Sequence, residues 1–171
     1  MKALLIDIDG VVLQDDRPLP GAGELVTWLL GSGRPFLFLT NYSSQTPAEL
    51  AHRLGTAGIA VPPEHVYTSA MATAEFLAKQ AGPRRRAYVV GEGALVHALY
   101  QAGFTLSETD ADFVVLGETR AYNFDMIQRA SQLVKKGARF IATNPDVAGP
   151  QGRPSCGAFA APIERITGKA P

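Results

Sequence analysis

The sequence predicts an α/β fold, with one open parallel sheet laid out in residues 1–81 and a second α/β unit in residues 82–171. Three observations carry this expectation. Short apolar runs alternate with helix-period stripes along the whole chain. A hydrophobic fraction of 46% with 19% charged residues, in 171 residues, suits a globular chain with one good core or two small ones. The alternation stops at Ala81-Gly82-Pro83 and restarts beyond it.

Taken in order, ALLIDI (3–8) reads as a strand buried on both faces, ended by Gly10. A helix is expected over 23–32, with Leu25, Trp28 and Leu29 as its core-facing stripe. PFLFLT (35–40) is apolar and aromatic-rich, as a second strand should be. Thr46-Pro47-Ala48-Glu49 combines a capping Thr, Pro at the first helical position and Glu three residues after the cap, which starts a helix that Gly58 stops. HVYTS (65–69) supplies a third strand, and Ser69 caps a helix to about Gln80. The second unit reads as AYVV (87–90), a helix over 93–101, DFVVLGE (112–118), a helix over 123–136 striped by Ile127, Ala130 and Val134, and RFIAT (139–143). GAFAAPIERIT is expected to be helical with Pro162 near its first turn. Gly91-Glu92-Gly93 lacks the third glycine of a dinucleotide fingerprint and reads as a tight βα turn.

Composition excludes several functions. Sixteen basic residues balance sixteen acidic ones, so no global field draws the chain to a nucleic acid polymer or an anionic membrane. PRRR (83–86) is the single basic cluster, read as a solvated loop between units, with phosphate steering as the sharper alternative. Cys156 has no partner for an intramolecular disulfide. No signal peptide and no membrane-length apolar run is present, which places the expected location in the cytoplasm. His52, His65 and His97 are too scattered for a zinc motif, and the sequon at Asn41-Tyr42-Ser43 reads as accidental.

Folding physics does not ask for Asp7 and Asp9. On a strand they share a face, and near its carboxyl end both can project into the crevice where open α/β sheets bind ligands. No Lys or Arg lies between Lys2 and Arg17 to pair with them. Like charges about 4 Å apart repel by roughly 4 kcal/mol at an effective dielectric of about 20, a cost that a divalent cation removes. Carboxylate oxygens suit Mg²⁺, a hard ion that takes one or two carboxylates plus substrate phosphate. The second strand ends in Thr40-Asn41, whose hydroxyl, amide and backbone N–H are donors for phosphate oxygens, although Thr-Asn is also ordinary turn chemistry.

These residues give the sequence its resemblance to the haloacid dehalogenase superfamily of phosphotransferases, whose first motif DxDGV stands here as Asp7-Ile8-Asp9-Gly10-Val11 and whose second-motif Thr is Thr40. IDIDGVV, LTNYSSQT, YTSAMATAEFL, YVVGEGAL, GETRAYNFDM and FIATNPD are similar to its NagD branch of ribonucleotide monophosphatases over essentially the whole chain. The resemblance implies a Rossmann-like parallel sheet core with an inserted α/β cap domain that closes over the site. It implies that Asp7 is the nucleophile and forms an aspartyl-phosphate, and that Asp9 is first the general acid and then the base. Thr40 and Asn41 hold the phosphoryl group, and Mg²⁺ is bound by the Asp7 carboxylate, the Asp9 backbone carbonyl and a further acid. Asp9 also marks a phosphatase, since dehalogenases of the superfamily lack the second acid.

The implied activity is Mg²⁺-dependent hydrolysis of phosphate monoesters, 5′-ribonucleoside monophosphates first, with sugar phosphates, pyridoxal phosphate or phosphoglycolate as alternatives. In the cap, Asn144 and Asp146 follow RFIAT in a loop and can hydrogen-bond a ribose or base, with simple turn chemistry as the competing reading. The expected partner is a small phosphate monoester, with no nucleic acid polymer, no membrane, and a homo-oligomer left open. The superfamily also carries a third-motif Lys and a fourth-motif acid pair after the cap. Lys169 sits directly behind a helix and is a poor match, so the sequence reads as a fragment, inactive alone and prone to associate through an open sheet edge. A phosphate-binding module without turnover, similar to a response-regulator receiver, is the alternative of another class.

Overall fold

The computed structural model describes residues 2–149 and 152–171. It divides into two units, one of 1–41 with 45–68 and the other of 42–44 with 69–171. The first unit contains β1 (Leu4–Asp7), β2 (Leu13–Gln14), β3 (Arg17–Pro18), α1 (Ala22–Ser32), β4 (Phe36–Thr40), α2 (Pro47–Thr56), a 3₁₀ turn at Pro63–His65 and β5 (Val66–Thr68). Its parallel sheet has the order β1-β4-β5, with Leu4 opposite Phe36 and Asp7 opposite Leu39.

Both crossover helices serve one face of this sheet. Val26 and Leu29 of α1 and Leu54 of α2 share a core with Phe36, Phe38, Ile59 and Val61, and Leu4 and Ile6 pack against it. The alternate residues of β1 face the other way, and Leu5 is 67% exposed. The expected burial of residues 3–8 on both faces is therefore wrong, because helices cover one face and β1 is paired only with β4 among the described residues. Of the stripe expected on α1, Leu29 faces the core but Leu25 and Trp28 do not. Ala22, Val26 and Leu29 are buried, whereas Trp28 is 51% exposed and lies under the Arg34 guanidinium, 5.4 Å from the ring centroid. Leu29 is common to both sets of residues at helical spacing, and beside it the helix turns Ala22 and Val26 inward in place of Leu25 and Trp28.

The start of α2 matches its sequence signature. The Glu49 N–H donates to Thr46 Oγ1 at 3.2 Å while the Thr46 N–H donates to Glu49 Oε2 at 2.6 Å, with Pro47 at the first position. Between β2 and β3 the chain reverses at Asp15 (φ 51°) and Asp16 (φ 62°), the two positive φ values that a two-residue type I′ hairpin needs. The sequence reading did not anticipate this hairpin, since Asp-Asp is not the usual pair and each strand has two residues.

The second unit contains α3 (Ser69–Gln80), β6 (Arg86–Val90), α4 (Gly93–Gln101), β7 (Thr105–Leu106), β8 (Phe113–Leu116), α5 (Phe124–Lys135), β9 (Arg139–Ala142) and α6 (Cys156–Thr167). Its parallel sheet runs β7-β6-β8-β9. On one face Ala70, Ala74 and Leu77 of α3 and Leu95 and Leu99 of α4 meet Ala87, Phe113 and Val115. On the other, Ala130, Leu133 and Val134 of α5 and Ala160 and Ile163 of α6 meet Tyr88, Val90, Val114, Leu116 and Phe140. Helices on both faces explain why all four β8 residues are buried.

The apolar face of α3 packs in this second core, so the units divide at Thr68/Ser69, one helix before the 81/82 boundary expected from sequence. Ser69 is the first helical residue rather than a cap. Pro162 lies inside α6, not in its first turn, because the helix begins at Cys156 behind Ser155. The missing N–H there leaves the Ala158 carbonyl without its usual helical donor.

The capping box at α2 generates a stability prediction. Hydrogen bonds from the Thr46 backbone and hydroxyl hold the Glu49 carboxyl below its ordinary value of 4.5, with a smaller opposing effect of burial. Its contribution is thus present above the ordinary value and lost as pH falls through the depressed one. Thr46→Ala should cost about 1 kcal/mol at neutral pH. Urea melts at a series of pH values should show that deficit shrinking in acid.

Candidate active site

Asp7 is the last residue of β1 and pairs with Leu39, so Thr40 lies one residue further along the neighbouring strand at the same carboxyl edge. Asp7 and Asn41 are exposed there, and Thr40 is buried at the end of β4, opposite Thr68. The four residues singled out from sequence in this unit, Asp7, Asp9, Thr40 and Asn41, are thus gathered at one sheet edge.

Asp9 is placed by the turn that follows β1. Ile8, Val12 and Leu13 are fully buried, and the Ile8 carbonyl accepts from the N–H groups of Val12 and Leu13 at 3.0 Å. The Gly10 N–H donates to the Leu13 carbonyl at 2.6 Å with φ at 82°, a conformation that costs glycine nothing. Asp9 therefore leaves a backbone anchored on both sides.

Its carboxylate is not unpaired, contrary to the expectation drawn from the stretch between Lys2 and Arg17. Arg53, in the last turn of α2 and 44 residues from Asp9, donates from Nη2 to Asp9 Oδ1 at 3.2 Å. The same guanidinium donates from Nε to Asp16 Oδ1 at 2.6 Å. Burial pushes the Asp9 carboxyl above the usual carboxylate range; Arg53 opposes this, while the nearby charges of Asp7 and Asp16 add to it. Burial works against the Arg53 cation, yet its hydrogen bonds and charge attraction to Asp16 and Asp9 hold it above its ordinary value. Neither Arg53 nor Asp16 was found from sequence, because nothing in a single chain ties residues 9, 16 and 53 together.

Among the described residues no group of three or more His, Cys, Asp or Glu side chains is arranged to hold a metal. The oxygen set at the edge, the exposed Asp7 carboxylate and the Asp9 backbone carbonyl, nevertheless fits a hard cation that keeps waters. Arg53 already engages the Asp9 carboxylate, which leaves the carbonyl as the Asp9 donor.

Other candidates resolve into structural roles. Two arginines of the basic cluster are paired with carboxylates, Arg84 Nη2 with Asp110 at 3.3 Å and Asp112 at 3.4 Å and Arg86 with Asp110, while Arg85 donates to the Ala102 carbonyl at 2.8 Å. Arg84 and Arg86 thereby hold the segment to Asp110 and Asp112. Gly91-Glu92-Gly93 is a βα turn between β6 and α4, with Glu92 Oε1 accepting from the Arg120 N–H at 3.0 Å. In the second unit Asn144 is buried and its Oδ1 accepts the Asp146 N–H at 3.1 Å, so its amide oxygen serves the turn, while the Asp146 residue is exposed. Lys169 Nζ donates to the Val134 carbonyl at 3.2 Å, satisfying one of the last carbonyls of α5. Tyr122 ties the approach to α5 to α6 by donating to the Phe159 carbonyl at 2.5 Å, and burial pushes its hydroxyl up to about 12.

The family model for haloacid dehalogenase-like hydrolases matches residues 4–105, which include β1, the Asp9 turn, Thr40 and Arg53. The chain belongs to this family. Ribonucleotide monophosphatase NagD of Escherichia coli strain K12 is 53% identical over 171 residues, covering all of this chain and 68% of that protein. The solved structure of NagD from the same strain superposes with a TM-score of 0.94. A dihydroxyacetone phosphatase of Corynebacterium glutamicum strain R is 46% identical over 98% of this chain and 62% of its own length. A glycerol phosphate phosphatase from Mycobacterium tuberculosis, solved in complex with magnesium, is 31% identical, with a TM-score of 0.90 over 99% of this chain and 52% of its own. The chain thus spans about two thirds of the length of the curated relatives it matches. This haloacid dehalogenase-like hydrolase is a phosphomonoesterase with an α/β fold. No helix among the described residues is long and apolar enough to cross a membrane.

Because Arg84 is satisfied by two aspartates, Arg84→Ala should leave KM for a phosphate monoester within about twofold and change stability by less than about 1 kcal/mol. Steady-state kinetics and a denaturant melt on the full-length protein check both.

Proposed function

We propose that the protein hydrolyses small phosphate monoesters through an aspartyl-phosphate on Asp7, with Asp9 as acid and base and Thr40 and Asn41 holding the phosphoryl oxygens. The observation that carries this reading is the gathering of Asp7, Asp9 and Thr40 at one carboxyl edge of a parallel sheet. The Asp7 carboxylate oxygen attacks phosphorus as the bond from phosphorus to the leaving oxygen breaks, and Asp9 gives its proton to that oxygen. Asp9, now ionised, takes a proton from water, whose oxygen attacks phosphorus and breaks the bond to Asp7. Burial of Asp9 favours the protonated form that the first step needs. The Thr40 hydroxyl and the Asn41 amide are donors for the negative oxygens of the transferring group.

Mg²⁺ is the cofactor of this reading, held by the Asp7 carboxylate and the Asp9 carbonyl, and when bound it supplies positive charge that offsets repulsion between nucleophile and phosphate. Phosphate-monoester hydrolysis needs several such effects together, since accelerations in this class reach about 10²¹.

For substrate, the 53% identity to a ribonucleotide monophosphatase supports 5′-ribonucleotides such as UMP and GMP. The 46% identity to a dihydroxyacetone phosphatase supports a second reading, a small sugar phosphate. Relative kcat/KM for UMP, GMP and dihydroxyacetone phosphate decides between them.

In the full-length protein, Asp7→Asn should abolish hydrolysis because an amide cannot attack phosphorus, and excess chelator should do the same until Mg²⁺ is restored. Full activity under either condition would refute the mechanism. Asn144 and Asp146 are the loop residues we assign to nucleoside selection, and the exposed Asp146 is the one whose removal tests it. Asp146→Ala should raise KM for UMP and spare p-nitrophenyl phosphate; equal effects on the two substrates, or none, would remove Asp146 from that role.

A further inference from the structure

An acid that must give a proton and then take one back needs a fixed position through both steps. The turn fixes the Asp9 backbone, but its side chain still has two rotatable bonds. Arg53 holds that side chain by one oxygen, Oδ1, and anchors its own guanidinium on Asp16 at the tip of the β2–β3 hairpin. We propose that Arg53 is a positioning residue for the acid–base step, gripping Asp9 through Oδ1 so that Oδ2 is the oxygen that carries the proton. The proposal rests on the reading of Asp9 as acid and base.

Three observations favour this over a purely structural ion pair. The helix that carries Arg53 is already secured by its capping box and by the fully buried Leu50 and Leu54. The hairpin is already closed by the β2–β3 pairing and by the Leu19 N–H donating to the Val12 carbonyl at 3.0 Å. Each element thus has fastenings of its own besides Arg53. The third observation is the fork itself: Nε and Nη2 of one planar group reach two carboxylates at once, at 2.6 and 3.2 Å, a span that a single ammonium does not reproduce. A guanidinium also keeps its charge at every working pH, so it does not compete for the proton that Asp9 must move.

The test compares two substrates that differ in their need for that proton. Nitrophenolate leaves without protonation, whereas the alkoxide of an alkyl phosphate such as glycerol phosphate does not, and kcat/KM reports each substrate only through phosphoryl transfer to Asp7. In the full-length protein, Arg53→Met should lower kcat/KM for glycerol phosphate at least about tenfold more than for p-nitrophenyl phosphate, within the range of general acid catalysis. Arg53→Lys should recover part of that ratio. Asp16→Asn, at an exposed site that leaves Arg53 in place, should shift the ratio in the same direction by a smaller factor, and it decides the matter should Arg53→Met fail to fold. Equal losses for both substrates in Arg53→Met, or an unchanged ratio in Asp16→Asn, would overturn the proposal. Asp9→Asn separates the two levels: if it leaves the ratio unchanged, the acid role of Asp9 itself fails, whereas a selective loss in Asp9→Asn with none in the Arg53 and Asp16 variants rejects only the positioning role.

Discussion

Asp7 stands beside Thr40 because β1 pairs in parallel with β4 in one register, Asp7 opposite Leu39, and the chemistry of the first unit depends on that alignment. Since side chains alternate along a strand, a slip of one residue would carry Asp7 to the core face and Ile6 to the open one. The register is held by Leu4 and Ile6, which pack with Phe36 and Phe38 against α1, and by the fully buried Ile8, Val12 and Leu13 just beyond the strand. Burial of apolar side chains thus sets where the two acids can be. Burial works against the charge of Asp9, and the ion pair with Arg53 opposes that cost.

Charge is handled differently in the two units. Around Asp9, one guanidinium is divided between two carboxylates and a third acid, Asp7, remains exposed, so negative charge is left at the edge where a cation and a phosphate can be bound. Around Arg84 and Arg86, two arginines meet Asp110 and Asp112 and the balance closes. Two arginines of the basic cluster visible in the sequence are thus engaged in ion pairs of their own unit, and the arginine that reaches Asp9 stands alone in sequence on a helix. Local charge density is a poor guide to electrostatic function when the partners come from other elements.

The second unit reaches back into the segment that follows the site. Tyr42–Ser44 belongs to it although it follows Asn41 directly, and the Glu118 N–H donates to Ser43 Oγ at 3.1 Å. Gly117 packs so closely on Ser43 and Leu95 that a side chain there would collide with both. The GETRAYNFDM stretch, noticed for its similarity to a family, has this local physical content. Its glycine accommodates Ser43, its Glu118 binds Ser43 and Ser155, and its Asn123 caps α5 by accepting the Met126 N–H at 3.0 Å.

What the sequence determined by itself was whatever a few adjacent residues can encode. The helix start at Thr46, the helix over Gly93–Gln101, the strand ending at Thr40 and the first strand up to Asp7 each follow from side chains within one or two turns of each other, whereas Asp9, expected on that strand, lies in the turn beyond it. Tertiary structure decided the rest. It chose which stripe of α1 to bury and left Trp28 outside, since both stripes have helical spacing. It assigned α3 to the second core, because a helix next to a linker carries no mark of which sheet it will meet. It brought Arg53 to Asp9, because a contact across 44 residues exists only once α2 has packed on the sheet, and the physics of a salt bridge acts on distance in space rather than in sequence.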